Sequence, residues 1–130
     1  MANSLGQLFT LGRVSEDFVI HGVTFKMVLL DTRILTQALE AASGLRDDVA
    51  QTIEYKRQIL SRSIMAINDD VYIRDQDAPE DTEVNRLLDV TAKLHTSIIN
   101  QLYMKYEELD AKVSKEVEDD LKNSSKRRGA

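Results

Sequence analysis

Along this chain the spacing of apolar positions switches between a period of two and a period near 3.6, and the switches mark the elements. Asp17–Leu29 carries two β-prone runs on either side of His21-Gly22. A two-residue turn there pairs Ile20 with Val23, Val19 with Thr24, Phe18 with Phe25 and Asp17 with Lys26. That register sets two apolar pairs on one face and opposite charges at the far end, so it predicts a β-hairpin. Gly22 adopts positive φ freely, and His is among the side chains that tolerate it, so His21 needs no further role. Met27 and Leu29 continue the alternation. A lone hairpin is marginal in water, so this one must pack on a helix or join a sheet supplied by a partner.

After the hairpin the period becomes helical. Asp31 or Thr32 supplies a cap, Ile34, Leu35, Ala38, Leu39 and Ala42 form an inner side, and Gly44 ends the helix. Leu45–Asn68 then reads as one amphipathic helix with a stripe at Leu45, Val49, Ile53, Leu60, Ile64 and Ile67. Asp47 and Asp48 fall in its first turn, where negative charge suits the helix dipole. Lys56, Arg57 and Arg62 read as its solvated side. Residues 68–78 break the pattern, with Val71-Tyr72-Ile73 as a short extended segment.

Pro79 suits a first helical turn, and neither Gly nor Pro occurs from Glu80 to Asn123. Over that span the stripe runs Val84, Leu87, Leu88, Thr91, Leu94, Ile98, Leu102, Tyr106, Leu109, Val113, Val117 and Leu121. His95 falls beside it as a partly buried packing residue. An unbroken helix of this length is roughly 60 Å long. A body of this size spans only about 28–30 Å. The C-terminal half therefore projects, and Leu94, Ile98, Leu102, Tyr106, Leu109, Val113 and Val117 are the candidate partner-binding residues. Repeats of eleven residues (Leu87, Ile98, Leu109) suit a nearly straight packing of that helix. The alternative is a helical hairpin broken near Leu109-Asp110 that folds back on the body.

The expected fold class is α+β, mainly α: an N-terminal β-hairpin, two short-to-medium helices, then one long C-terminal helix. The expected divisions are a hairpin-plus-helices body over 1–78, a projecting helix over 79–122 and a basic flexible tail over 123–130. Residues 1–15 are weakly patterned, broken by Gly6 and Gly12. They read either as an irregular segment packed on the body or as a docking arm.

Composition narrows the chemistry. The chain of 130 residues has a net charge of −5, no cysteine and two histidines. Lys126, Arg127 and Arg128 concentrate positive charge at the end, leaving an acidic body that argues against broad nucleic-acid binding. Without cysteine, disulfides, thiolate catalysis and zinc–thiolate sites are excluded. No apolar run approaches the roughly 20 residues of a membrane span, and the N-terminus lacks the pattern of a secretion signal. The acidic cluster Asp69, Asp70, Asp75 and Asp77 invites a calcium reading. An EF-hand pattern started at Asp75 meets Pro79 at a ligand position and Glu80 where glycine is needed, so a solvated acidic loop is preferred. Catalytic and phosphate-binding motifs are absent. The expectation is a protein that is not an enzyme and has no cofactor, metal or catalytic residue.

The hairpin FVIHGVTFKMVLL, the capped helix DTRILTQALEAAS and the helix closing RQILSRSIMAIND together resemble small tail proteins of tailed bacteriophages. These are the baseplate-hub and hub-assembly proteins of contractile-tailed phages and the related tail assembly chaperones. The resemblance covers roughly Phe18–Asn68 and is carried most by Leu60, Ser63, Ile64, Ile67 and Asn68. It implies a structural component of a phage tail baseplate or hub, in the virion after synthesis in the host cytoplasm. Its partners would be other tail proteins, in a homo- or hetero-oligomer. The alternatives are a tail assembly chaperone absent from the mature particle, and a cytosolic helical adaptor or regulator unrelated to phage.

Overall fold

The computed structural model describes the backbone of residues 5–129 and the side chains of residues 5–123. The basic tail expected at 123–130 lies beyond the described side chains, Asn123 apart. In chain order the elements are α1 (Leu5–Leu11), β1 (Ser15–Ile20), β2 (Val23–Val28), α2 (Thr32–Ala42), α3 (Asp48–Ser63), β3 (Ile64–Ile67), β4 (Asp70–Val71), α4 (Asp81–Ala92) and α5 (Thr96–Gly129). The fold is α+β and mainly α, with a long C-terminal helix.

The hairpin forms in the expected register, from Ile20 opposite Val23 to Asp17 opposite Lys26. His21 and Gly22 both have positive φ, 49° and 78°. Two left-handed residues in sequence give the turn whose twist matches paired strands. Hairpin and helices do not complete the sheet, however. Four antiparallel strands run in the order β1-β2-β3-β4. The hairpin thus finds its missing strands within its own chain.

Those strands come from the stretch expected to be the end of the second helix. Leu45–Asn68 is not one helix: α3 spans Asp48–Ser63, and the chain passes directly into β3 at Ile64. Ile64 and Ile67 fit either period, and the free edge of β2 decides between them. Phe25 pairs with Ile67, Lys26 with Ala66 and Met27 with Ile64, across a register shift between Lys26 and Met27. Ser63, fully buried at the junction, donates to the Val28 carbonyl at 2.6 Å. Asn68 closes the other end at φ 52°, its side-chain oxygen accepting from the Thr24 N–H at 3.0 Å. Its own N–H donates to the Thr24 carbonyl at 2.7 Å. The extended run at Val71-Tyr72-Ile73 is present: β4 covers Asp70–Val71, and Tyr72 and Ile73 both donate to the Met65 carbonyl.

Capping explains the helix starts. Asp31 accepts from the Ile34 N–H, and Asp47 from the Ala50 N–H, both at 2.9 Å. Each satisfies a donor that the first helical turn leaves unpaired. Glu80, one residue after Pro79, is the N-cap of α4, and its N–H donates to the Glu83 carboxylate at 3.0 Å.

The helix expected to run unbroken from Pro79 is interrupted at Lys93–His95. Leu94 N–H turns back to the Thr91 carbonyl at 3.2 Å. His95 then starts α5: its Nδ1 accepts from the Ser97 N–H at 3.1 Å and its carbonyl from the Ile98 N–H at 2.9 Å. His95 is exposed at a helix start, not a packing residue in mid-helix. The break lets α3 pack on both α4 and α5. The core forms between one sheet face and these helices, around Phe25, Met27, Ile59, Leu60, Ile64, Ile73, Leu87, Ile99, Leu102 and Tyr106.

Candidate interaction surface

The structure divides the seven candidate partner-binding residues. Leu102, Tyr106 and Leu109 are buried within the chain itself, at 0%, 6% and 2% exposure. Leu94 and Ile98 are half-buried and pack on the same core. These five are occupied by the body and are not free for a partner, which corrects the expectation of a projecting stripe from Leu94 onward. The body reaches further along the helix than its size suggested, because the break at Lys93–His95 restarts α5 across α3. Val113 is half-buried and Val117 exposed, and Leu121 beyond them is more exposed still. The free stripe therefore begins near Val113.

The other wall of this surface comes from within residues 1–15, which the sequence left as an irregular segment or a docking arm without assigning a helix. Residues 5–11 form α1, a helix with no buried residue, on which Leu5, Leu8 and Phe9 all stand exposed. The i, i+3, i+4 spacing of these three was a helical signal that the adjacent glycines obscured. Leu8 and Phe9 face Val113 and Asp110 of α5 across a cleft of about 420 Å³, with Leu29 and Leu30 also lining it. Carboxylates of Asp31 and Asp77 lie on its rim together with Arg13. Arg13 pairs with Asp77 at 2.7 Å, and the Arg33 guanidinium donates to the Asp77 carbonyl. Asp77 thereby ties the segment after α1 to the loop before α4. On the sheet side, Lys112 pairs with Glu16 of β1 at 2.7 Å, and the Lys105 ammonium lies over the Phe18 ring. These contacts hold α5 against β1 up to the point where its stripe becomes exposed.

A second apolar patch lies at the α2–α3 elbow. Leu39, Leu45 and Val49 are exposed there, although helical spacing had assigned all three to inner faces. α3 begins at Asp48, so Leu45 precedes it, and the buried positions cluster instead at Gln58–Leu60 and beyond.

Several polar side chains bridge one element to another. Arg57, expected on a solvated face, is mostly buried and bridges α3 to α4. It pairs with Glu54 at 2.6 Å and donates to the Leu88 carbonyl at 2.8 Å. Arg62 donates to the Gln58 carbonyl and side chain; burial lowers its pKa, against the opposing pull of Asp81. Tyr55 meets Tyr103 edge-on, with ring centroids 6.1 Å apart, and Tyr103 stacks on Tyr106 at 6.2 Å. Burial pushes the Tyr106 phenol up to about 12, although the Leu30 N–H donated to its oxygen acts the other way. Burial likewise raises Tyr103, with help from Tyr55. Among the described residues no group of three or more His, Asp or Glu is placed to hold a metal ion. In the acidic loop Asp77 is committed to Arg13, and Asp75 accepts from the Asp77 N–H. No helix among the described residues is long and apolar enough to cross a membrane. Compared with known protein families, curated proteins and solved structures, the chain matches none.

Proposed function

We propose that this protein is a non-enzymatic structural component that binds other proteins through α1 and the distal half of α5. The observation that carries this reading is a run of uncovered apolar side chains: Leu5, Leu8 and Phe9 on α1, and Val117 and Leu121 on α5. Scattered surface leucines need no explanation, but a continuous apolar stripe on a helix leaving its own core calls for cover. The finer reading places this role in the tail of a bacteriophage, as a baseplate or hub component. The resemblance over Phe18–Asn68 supports it. The residues that carry most of that resemblance, Leu60 to Asn68, build the switch from α3 through β3 into the β3–β4 turn. They are scaffold residues, in keeping with a role in which helices are presented to partners.

Native mass spectrometry of the chain co-expressed with its neighbouring gene products tests the binding reading. A complex of defined stoichiometry is expected, and it should be lost when Val117 and Leu121 are both changed to Asp. A complex indifferent to that change would overturn the assignment of the surface. Mass spectrometry of purified particles tests the finer reading: presence in the particle is expected, and absence would favour a departing chaperone.

A further inference from the structure

We infer that the exposed stripe of α5 from Asp110 to Leu121 is the docking face for a basic amphipathic helix of another protein, one whose apolar side chains are flanked by Lys or Arg. The inference rests on the proposed binding role and names the chemistry of the partner.

Two observations meet on this segment. First, the face that buries Tyr106 and Leu109 against the body continues outward through Val113, Val117 and Leu121 at four-residue steps. It is half-buried at Val113, and exposure rises to 38% at Val117 and 64% at Leu121. Second, the charges are sorted around the helix. At about 100° per residue, Val113 and Leu121 fall within about 40° of Val117, and Asp110, Glu116, Glu118 and Asp120 within about 100° of it. Every charged residue on this side of the helix between Asp110 and Leu121 is therefore an acid. Lys112, Lys115 and, just beyond, Lys122 turn about 140–160° away from Val117. Lys112 is held there by Glu16 of β1 at 2.7 Å. Among the described residues none of the four acids takes part in an ion pair.

An apolar stripe bordered on both sides by unpaired carboxylates selects what covers it. The same segment of a second copy laid on it sets acid beside acid. Nucleic acid and anionic lipid headgroups are repelled for the same reason. A helix with Lys or Arg beside its own apolar stripe satisfies both the apolar and the charged positions. The stripe is open and roughly 16 Å long, a shape that suits a helix laid along it and not a small molecule, which needs enclosure. At its inner end it meets the cleft lined by Leu8, Phe9 and Val113, where an apolar anchor of the partner fits between α1 and α5. Arg13, the base in that lining, is already paired with Asp77 at 2.7 Å and does not oppose a cationic partner. The contact ends before the basic run Lys126-Arg127-Arg128.

Titration calorimetry of the full chain with two synthetic helices tests this. Both probes are about 14 residues long with the same Leu stripe, and they differ only in carrying Lys or Glu beside it. Wild type should bind the Lys helix about tenfold tighter than the Glu helix, and the preference should shrink at high salt. Asp110→Asn, Glu116→Gln, Glu118→Gln and Asp120→Asn together should erase the preference. Val117→Ser and Leu121→Ser together should abolish binding of the Lys helix with an unchanged circular dichroism spectrum, since neither side chain belongs to the core. Equal binding of the two helices by wild type would overturn the inference. So would binding of the Lys helix that survives loss of Val117 and Leu121, which would be charge attraction alone. A wild-type chain of double mass by light scattering, returned to single mass by those two serines, would put a second copy on the stripe instead. A complex with a neighbouring gene product that needs Val117 and Leu121 but ignores the four neutralised acids would overturn the basic helix and leave the binding role standing.

Discussion

A few side chains set the local geometry. Gly22 holds φ at 78° with nothing within 4 Å of where a Cβ would stand, so its constraint is conformational and not steric. Gly22→Ala should cost about 1–2 kcal/mol, the usual expense of a left-handed L-residue, readable as a shift in urea midpoint. Tyr106 is buried and accepts the Leu30 N–H, joining α5 to the segment after β2. Tyr106→Phe leaves that donor unpaired and should destabilise the fold by about 1 kcal/mol at neutral pH. The Tyr106 phenol titrates near 12 in the fold, against an ordinary value of 10.0. Between those values the folded chain keeps a proton that the unfolded chain has lost, so stability falls as pH rises through that window. Denaturant melts across it should show a smaller alkaline loss in Tyr106→Phe than in wild type; an identical loss would sink this account.

At the scale of elements, helical spacing misjudged where α3 buries its side chains. Val49 and Ile64 were both assigned to one stripe, yet Val49 is 70% exposed and Ile64 fully buried in β3. Ile64→Ala should cost about 2–5 kcal/mol as a core truncation. Val49→Asp should stay within about 0.5 kcal/mol. Comparable losses from both would restore the single-helix reading. The end of α3 was illegible because a segment with apolar residues three and four apart fits a helix, and a strand choice depends on a neighbouring edge. The break before α5 did leave a local trace: His95, Thr96 and Ser97 place cap-forming side chains in sequence. The lack of Gly and Pro concealed it, since a helix can stop and restart through side-chain capping alone.

For the whole molecule, the decisive feature is how much of α5 belongs to the body. At 1.5 Å per residue α5 is roughly 50 Å long, and its inner face is buried as far as Leu109. Truncation after Lys115 should therefore leave the circular dichroism signal per residue and the cooperative melt nearly intact while abolishing association. Truncation before Leu102 should unfold the body, because Leu102, Tyr106 and Leu109 close the core. The first truncation unfolding the protein would show that the distal helix is structural. The exposed part of the stripe was only partly legible: Val113 and Val117 stood on it, but Leu102, Tyr106 and Leu109 stood there equally, and spacing cannot say which neighbour covers a face.

The sequence by itself determined the hairpin, its register and its turn, because strand alternation and positive φ at His21-Gly22 are local properties. It also offered Asp31, with Thr32, as a cap, and the Asp31 carboxylate meets the N–H three residues on; Asp47, placed by the spacing in the first turn of a helix from Leu45, instead caps a helix that begins at Asp48. Only the tertiary structure decided that Ile64–Ile67 would be a strand, since that required the edge of β2 to complete its hydrogen bonds. Only the tertiary structure decided which part of the long stripe is core and which is free. Burial depends on what lies opposite, and the break at Lys93–His95 is what brings α5 across α3 and carries the core out to Leu109.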